Sequence, residues 1–214
     1  YITIVSTTES TCKKLELQTK PQVNISEYIR YSWYIHQQQI NGYQSLDELY
    51  CVTATYNIDN HSHVPFFNKT VISVYNYARK GDVNGKILSN SSAYLCARLT
   101  DSCHPEKLIV APCFLPNIFS GPYWIVAAGP APDNYEWAIV SGGQPTVRIS
   151  NYTCTTMEKG VTNSGLWLFT RNKNYEHDKI SMMRDILVSK NVSTLKLHNV
   201  THCGCNYNGA FLKT

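Results

Sequence analysis

Fifteen tyrosines and four tryptophans are the side chains with most to offer a bound molecule, because each joins a large apolar face to a hydrogen-bonding tip. That combination suits a cavity that orients an apolar ligand, and it equally suits the packed interior of a sheet. Turnover has no comparable support. The chain carries no Gly-x-Ser-x-Gly elbow, no His-Glu-x-x-His pair and no phosphate-binding loop. Asp101, Asp133 and Glu136 fall in turns or at strand edges, where a carboxylate is solvated rather than poised for proton transfer. His61-Ser62-His63 and His202-Cys203-Gly204-Cys205 resemble fragments of a metal site, but the first adjoins a glycosylation sequon and the second lies in a cysteine-rich tail. Neither completes a tetrahedral set. The reading is a binding protein rather than an enzyme, with no obligatory metal or cofactor.

Eight cysteines, Cys12, Cys51, Cys96, Cys103, Cys113, Cys154, Cys203 and Cys205, are spread along the chain in an even number, as a disulfide framework requires. Seven Asn-x-Ser/Thr sequons, at Asn24, Asn60, Asn68, Asn90, Asn151, Asn191 and Asn199, point independently to a secretory route and to N-linked glycans. With no leader visible at Tyr1, the chain reads as a mature, extracellular protein. Charged residues make up only 16% of it, and the net charge of +4 comes without Lys/Arg runs, which argues against nucleic acid as a partner. The stretch from Leu108 to Pro132 has no charge, but Pro112, Pro116, Pro122, Pro130 and Pro132 interrupt it. It reads as two buried strands joined by a turn, not as a membrane span.

A sheet must position these residues, because apolar and polar side chains alternate in short blocks. Val52-Thr53-Ala54-Thr55-Tyr56 is the cleanest, with Val52, Ala54 and Tyr56 on one face. With it, Trp33 to Gln37, Thr70 to Tyr77, Ser92 to Leu99, Lys107 to Pro112, Pro122 to Ala128, Tyr135 to Ser141 and Gly165 to Arg171 make eight strands. Turn-forming residues at Asp82 to Gly85, Asp101 to Pro105 and Gly129 to Asn134 make consecutive strands antiparallel neighbours. Asn174 to Lys190 has a helical period, with Ile180, Met183 and Leu187 on one face, and a last strand is expected at about Ser193 to Val200. Alternation alone leaves an eight-stranded barrel and a two-sheet sandwich both open. The expected organisation is an arm over residues 1–30, one barrel domain over 31–205 and a tail over 206–214.

Four segments in this order resemble the lipocalins, in particular those of the apolipoprotein D and bacterial type: Cys51 to Tyr56, Gly121 to Val126, Tyr135 to Val140 and Gly165 to Arg171. The resemblance runs from about Trp33 to Cys205. It implies an all-β fold, an eight-stranded antiparallel up-and-down barrel followed by one α-helix and a strand. It also implies that Trp33 closes the barrel floor with Arg171 packed across it, a cation–π contact worth about 0.5–2 kcal/mol. Two positions depart from the pattern: Tyr31 stands where relatives have glycine, and Asn134 is inserted in the turn before Tyr135, which should lengthen that turn. The resemblance pairs Cys12 with Cys154, and Cys51 with Cys203 or Cys205. Cys96 and Cys113 fall on outward positions of adjacent strands, able to form a third bridge, which leaves Cys103 to join the remaining tail cysteine or stay free.

Strand alternation nominates Val52, Ala54, Tyr56, Leu95, Ala97, Leu108, Val110, Tyr123, Ile125, Trp137 and Trp167 as inward-facing, and the resemblance favours Tyr56, Tyr123 and Trp167 as ligand contacts. The expected function is to hold a small hydrophobic ligand: a carotenoid or bilin pigment, a fatty acid, a retinoid or a sterol. A thiol at Cys103 near the barrel mouth would offer covalent attachment to a bilin. The rival readings are a filled barrel acting as a structural or interaction glycoprotein, in homo- or hetero-oligomers, and an enzyme built on the same fold.

Overall fold

The computed structural model describes residues 12–58, 63–89 and 95–214. A short helix, α1 (Ile25–Tyr28), precedes β1 (Trp33–Gln38), β2 (Tyr50–Ile58) and β3 (Val71–Lys80). Next come β4 (Lys86–Ser89), β5 (Leu95–Arg98), β6 (Lys107–Pro112), β7 (Gly121–Ala131) and β8 (Asn134–Ser141). A small hairpin, β9 (Val147–Arg148) and β10 (Cys154–Thr155), leads to β11 (Leu166–Thr170), α2 (His177–Ser189) and β12 (His198–Asn199).

β4 and β5 both pair antiparallel with β3, β4 along its second half and β5 along its first, so together they supply the fourth stave of the barrel. The order β1-β2-β3-β4/β5-β6-β7-β8-β11 then closes, because β11 pairs back onto β1 with Tyr34 opposite Thr170 and Gln38 opposite Trp167. Closure pairs the staves on both sides along most of their length, and β4, which pairs only with β3, is the exception among the described residues. All neighbours being antiparallel, the connections 39–49, 81–85, 113–120 and 142–165 gather at one end. Those over 63–70, 99–106 and 132–133 gather at the other, with α1.

The two larger apolar clusters share the barrel wall. One fills the interior and includes Trp33, Val52, Tyr56, Ile125, Val140 and Phe169. The other lies outside, where Val126, Ile139, Leu166 and Leu168 receive Ile180, Met183 and Leu187 from α2, the helical face that the sequence predicts. Disulfides Cys12–Cys154 and Cys51–Cys205 tie the arm and the tail to this frame, and Cys96–Cys113 joins β5 to the end of β6. Cys103 and Cys203 are free and exposed, so Cys205 rather than Cys203 is the partner of Cys51.

Several local expectations are corrected. Ala131 pairs with Asn134, leaving only Pro132 and Asp133 in the turn, so Asn134 lengthens the strand instead. The additional residue is absorbed as a bulge: Tyr135 lies opposite Pro130 and Trp137 opposite Gly129, with Glu136 unpaired between them. Tyr31 adopts backbone angles open to any residue, so glycine is not required there. β12 is far shorter than Ser193 to Val200, because Ser193 donates its amide to Cys154 O instead of to a barrel strand. α1, β4 and the β9–β10 hairpin have no counterpart in the sequence reading. Asn60, His61, Asn90 and the Ser92–Tyr94 part of one expected strand lie outside the described residues.

Candidate functional site

The 63–70 end of the barrel is shut by α1 and by one cation. Trp33 is fully buried at the start of β1 and donates its indole N–H to Tyr28 O (3.0 Å). The Arg171 guanidinium, just past β11, lies 3.4 Å from the centroid of the Trp33 ring. It donates to main-chain carbonyls of Tyr135 (3.1 Å), Glu27 (3.0 Å), Tyr28 (3.0 Å), Ser32 (3.3 Å) and Tyr31. Burial pulls its pKa down to about 10, which leaves it cationic at neutral pH. The Glu27 carboxylate accepts from Arg30 (2.6 and 2.8 Å) and from the Tyr135 amide (3.2 Å). Burial works to raise Glu27, but these hydrogen bonds outweigh it and hold the group below its ordinary value. Lys213 of the tail also reaches this end, donating to Ile29 O (2.7 Å) and Tyr56 O (3.0 Å).

Above this floor the barrel is hollow. A cavity of about 720 Å³ runs towards the opposite end, within the range of small-molecule sites. Its walls include Val52, Ala54, Tyr56, Leu95, Val110, Tyr123 and Trp167, and its mouth is formed by Tyr43, Phe119 and Val161 of the connections and by Ile87 of β4. In the depth, Tyr28 OH lies 2.7 Å from Tyr123 OH, which lies 2.8 Å from Tyr56 OH. Burial pushes all three phenols above their ordinary value, so each keeps its proton. On the wall, Gln38 Oε1 and Ser164 Oγ are buried without a hydrogen-bond partner among the described residues.

Among solved structures, the chain is similar to apocrustacyanin C1, with 15% identity over 94% of this chain and 95% of that one and a TM-score of 0.60. It is also similar to lobster apocrustacyanin A1 (14% identity, 94% of each chain, TM-score 0.58). The cockroach major allergen Per a 4 gives 13% identity over 95% of this chain and all of that one, with a TM-score of 0.56. The fold is that of a lipocalin. No protein-family model and no curated protein matches the sequence.

Within this lipocalin barrel the nominated residues divide into three groups. Val52, Ala54, Tyr56, Leu95, Val110, Tyr123 and Trp167 face the cavity. Ala97, Leu108 and Ile125 belong to the interior cluster but are packed away from the empty space. Trp137 is a correction: it lies outside the barrel with Trp124 and Ile186 in the cluster that α2 covers. The cause is the bulge at Glu136, which offsets the strict two-residue alternation, so Tyr135 points in and Trp137 out.

Cys103 does not border the cavity. It sits in the 99–106 loop at the closed end, where its carbonyl accepts from Gln22 Nε2 (3.1 Å). In the tail, Cys205 is spent in a disulfide, and both ring nitrogens of His202 are engaged, with Tyr207 OH (2.6 Å) and Ile35 O (2.8 Å). Tyr28, Tyr43 and Phe119 escaped the sequence reading because they come from the arm and from loops, where no alternation marks them. The exposed sequon residues Asn24, Asn68, Asn151 and Asn199 all lie outside the cavity walls.

Proposed function

We propose that this protein is a secreted, non-catalytic carrier that holds one small hydrophobic molecule in its barrel. The observation that carries this reading is the cavity of about 720 Å³, closed at one end and walled by aliphatic and aromatic side chains around a few polar groups. Burial of a ligand's apolar surface there supplies about 25 cal/mol per Å², and the tyrosine and glutamine tips fix its orientation. The open space counts against the filled-barrel alternative, which needs an interior closed by its own side chains. Three disulfides and seven sequons support an oxidising, secretory setting and N-linked glycans.

Within that class, the aromatic wall favours an elongated or planar molecule: a carotenoid or a non-covalently held bilin, with a fatty acid, retinoid or sterol as the other candidates. Covalent bilin attachment through Cys103 has no support, since that thiol is at the wrong end of the barrel. The test is the absorption spectrum of protein from its native source, followed by mass spectrometry of an organic extract. A visible band that shifts on denaturation establishes a pigment carrier, and a colourless protein that releases a lipid keeps the carrier role with another ligand. An empty extract, together with no uptake of any of these molecules in fluorescence titration, overturns the reading.

A further inference from the structure

The three-tyrosine chain at the base of the cavity holds one more proton than it can use. Tyr28, Tyr56 and Tyr123 have three hydroxyl protons, but only two O···O contacts join them, and these hydroxyls have no other partner among the described residues. Tyr28 is 1% exposed and can donate only to Tyr123; turned the other way, its proton would be buried unpaired, which is unfavourable. The surplus proton therefore emerges on Tyr123 or Tyr56, and both line the cavity. Each phenol that accepts from a neighbour becomes a better donor in turn, so the chain sharpens this one donor.

We infer that the ligand is an elongated apolar molecule with a neutral carbonyl-type oxygen at its deep end, accepting that proton. The inference deepens the carrier reading and rests on it. An unfunctionalised hydrocarbon would strand the hydroxyl, and an anionic head would have to shed its hydration among phenols that all stay protonated.

The test uses two probes of one carbon skeleton, a 2-acylnaphthalene and the matching 2-alkylnaphthalene, titrated into the full chain and followed by tryptophan fluorescence. The ketone is expected to bind about five-fold more tightly, the size of one neutral hydrogen bond. In Tyr28→Phe/Tyr56→Phe/Tyr123→Phe, which removes every hydroxyl and so orphans none, that preference is expected to vanish. In Tyr56→Phe alone it should persist, because two hydroxyls sharing one contact still leave a proton on Tyr123. Equal binding of the two probes by the unaltered protein, or a preference that survives the triple substitution, overturns the inference and leaves the carrier reading intact. Failure of both probes to bind also overturns the inference, whereas the carrier reading stands or falls by the native extract and the titrations with its own candidate ligands. Independently of any variant, the carbonyl stretch of the ketone bound to unaltered protein should move to lower frequency, and an unshifted stretch also overturns the inference.

Discussion

The two ends of the barrel both combine aromatic rings with polar side chains and put them to opposite use. At the closed end, the Trp33 indole, the Arg171 guanidinium and the Glu27 carboxylate are all matched to partners inside the protein. At the open end, Tyr43 keeps 62% of its surface exposed and Phe119 58%, while Gln38 Oε1 and Ser164 Oγ are buried without partners among the described residues. Buried polar groups are normally satisfied, so the two left over beside the open cavity are free to meet a molecule that enters it. An aromatic residue is therefore structural where protein encloses it on all sides, as at Trp33, and available for binding where it borders open space, as at Tyr43 and Phe119.

Arg171→Ala is the strongest way to break that contrast. It strips hydrogen bonds from buried carbonyls of α1 and β8 and uncovers the Trp33 ring, with an expected loss of about 3–5 kcal/mol in urea denaturation. Arg171→Lys should recover little, because a single ammonium cannot reach carbonyls spread around a planar fork. Protein that remains folded should still bind ligand, since Arg171 does not border the cavity.

Acid separates a third region from both ends. His36 and His202 lie 4.7 Å apart between β1 and the tail. Burial, with some help from His36, lowers His202 from 6.5 to about 4, and burial lowers His36 as well. Between those values the unfolded chain binds more protons than the native one. The stability that the neutral histidines contribute is therefore complete above pH 6.5 and is lost as the pH falls towards 4. The expected loss is about 3 kcal/mol for His202, read from urea midpoints at pH 7 and pH 4. Ligand affinity of the folded fraction should hold over the same window, because burial keeps the cavity phenols protonated throughout.

Filling the hollow half tests the contrast from the other side. Ala54 faces empty space on β2, so Ala54→Phe should weaken ligand binding about thirty-fold while moving the melting temperature little. A large loss of stability instead would show that the wall at Ala54 is as tightly packed as the floor.

Sequence reasoning located the staves well, because the apolar inner face imposes a two-residue period that Val52, Ala54 and Tyr56 display, even though Thr53 and Thr55 between them are buried as well. The α2 face was equally legible in Ile180, Met183 and Leu187. What escaped depended on distant partners. The four residues of α1 are too few to show a period, and Tyr28 becomes part of the cavity base only through Tyr123. Cys203 and Cys205 are two residues apart and chemically alike, so only the placement of the tail beside β2 separates them. Trp137 was misplaced because a bulge leaves no mark in the residue types around it.

That misplacement yields the finest comparison, between two tryptophans on paired strands. Trp137 lies over Gly129 outside the barrel, where a Cβ on that glycine would come within 2.5 Å of its ring. Trp167 faces the cavity and lies as closely over Gly165, whose φ of +96° few other residues would adopt. Trimming either ring to Phe removes similar packing and should cost about 1 kcal/mol of stability. Only Trp167→Phe should also weaken ligand binding, by about three-fold, and only Trp167→Phe should abolish most of the fluorescence quenching that a bound chromophore causes. If Trp137→Phe weakens binding as much, the two faces of β8 are not insulated from each other, and the α2 side of the wall takes part in shaping the cavity.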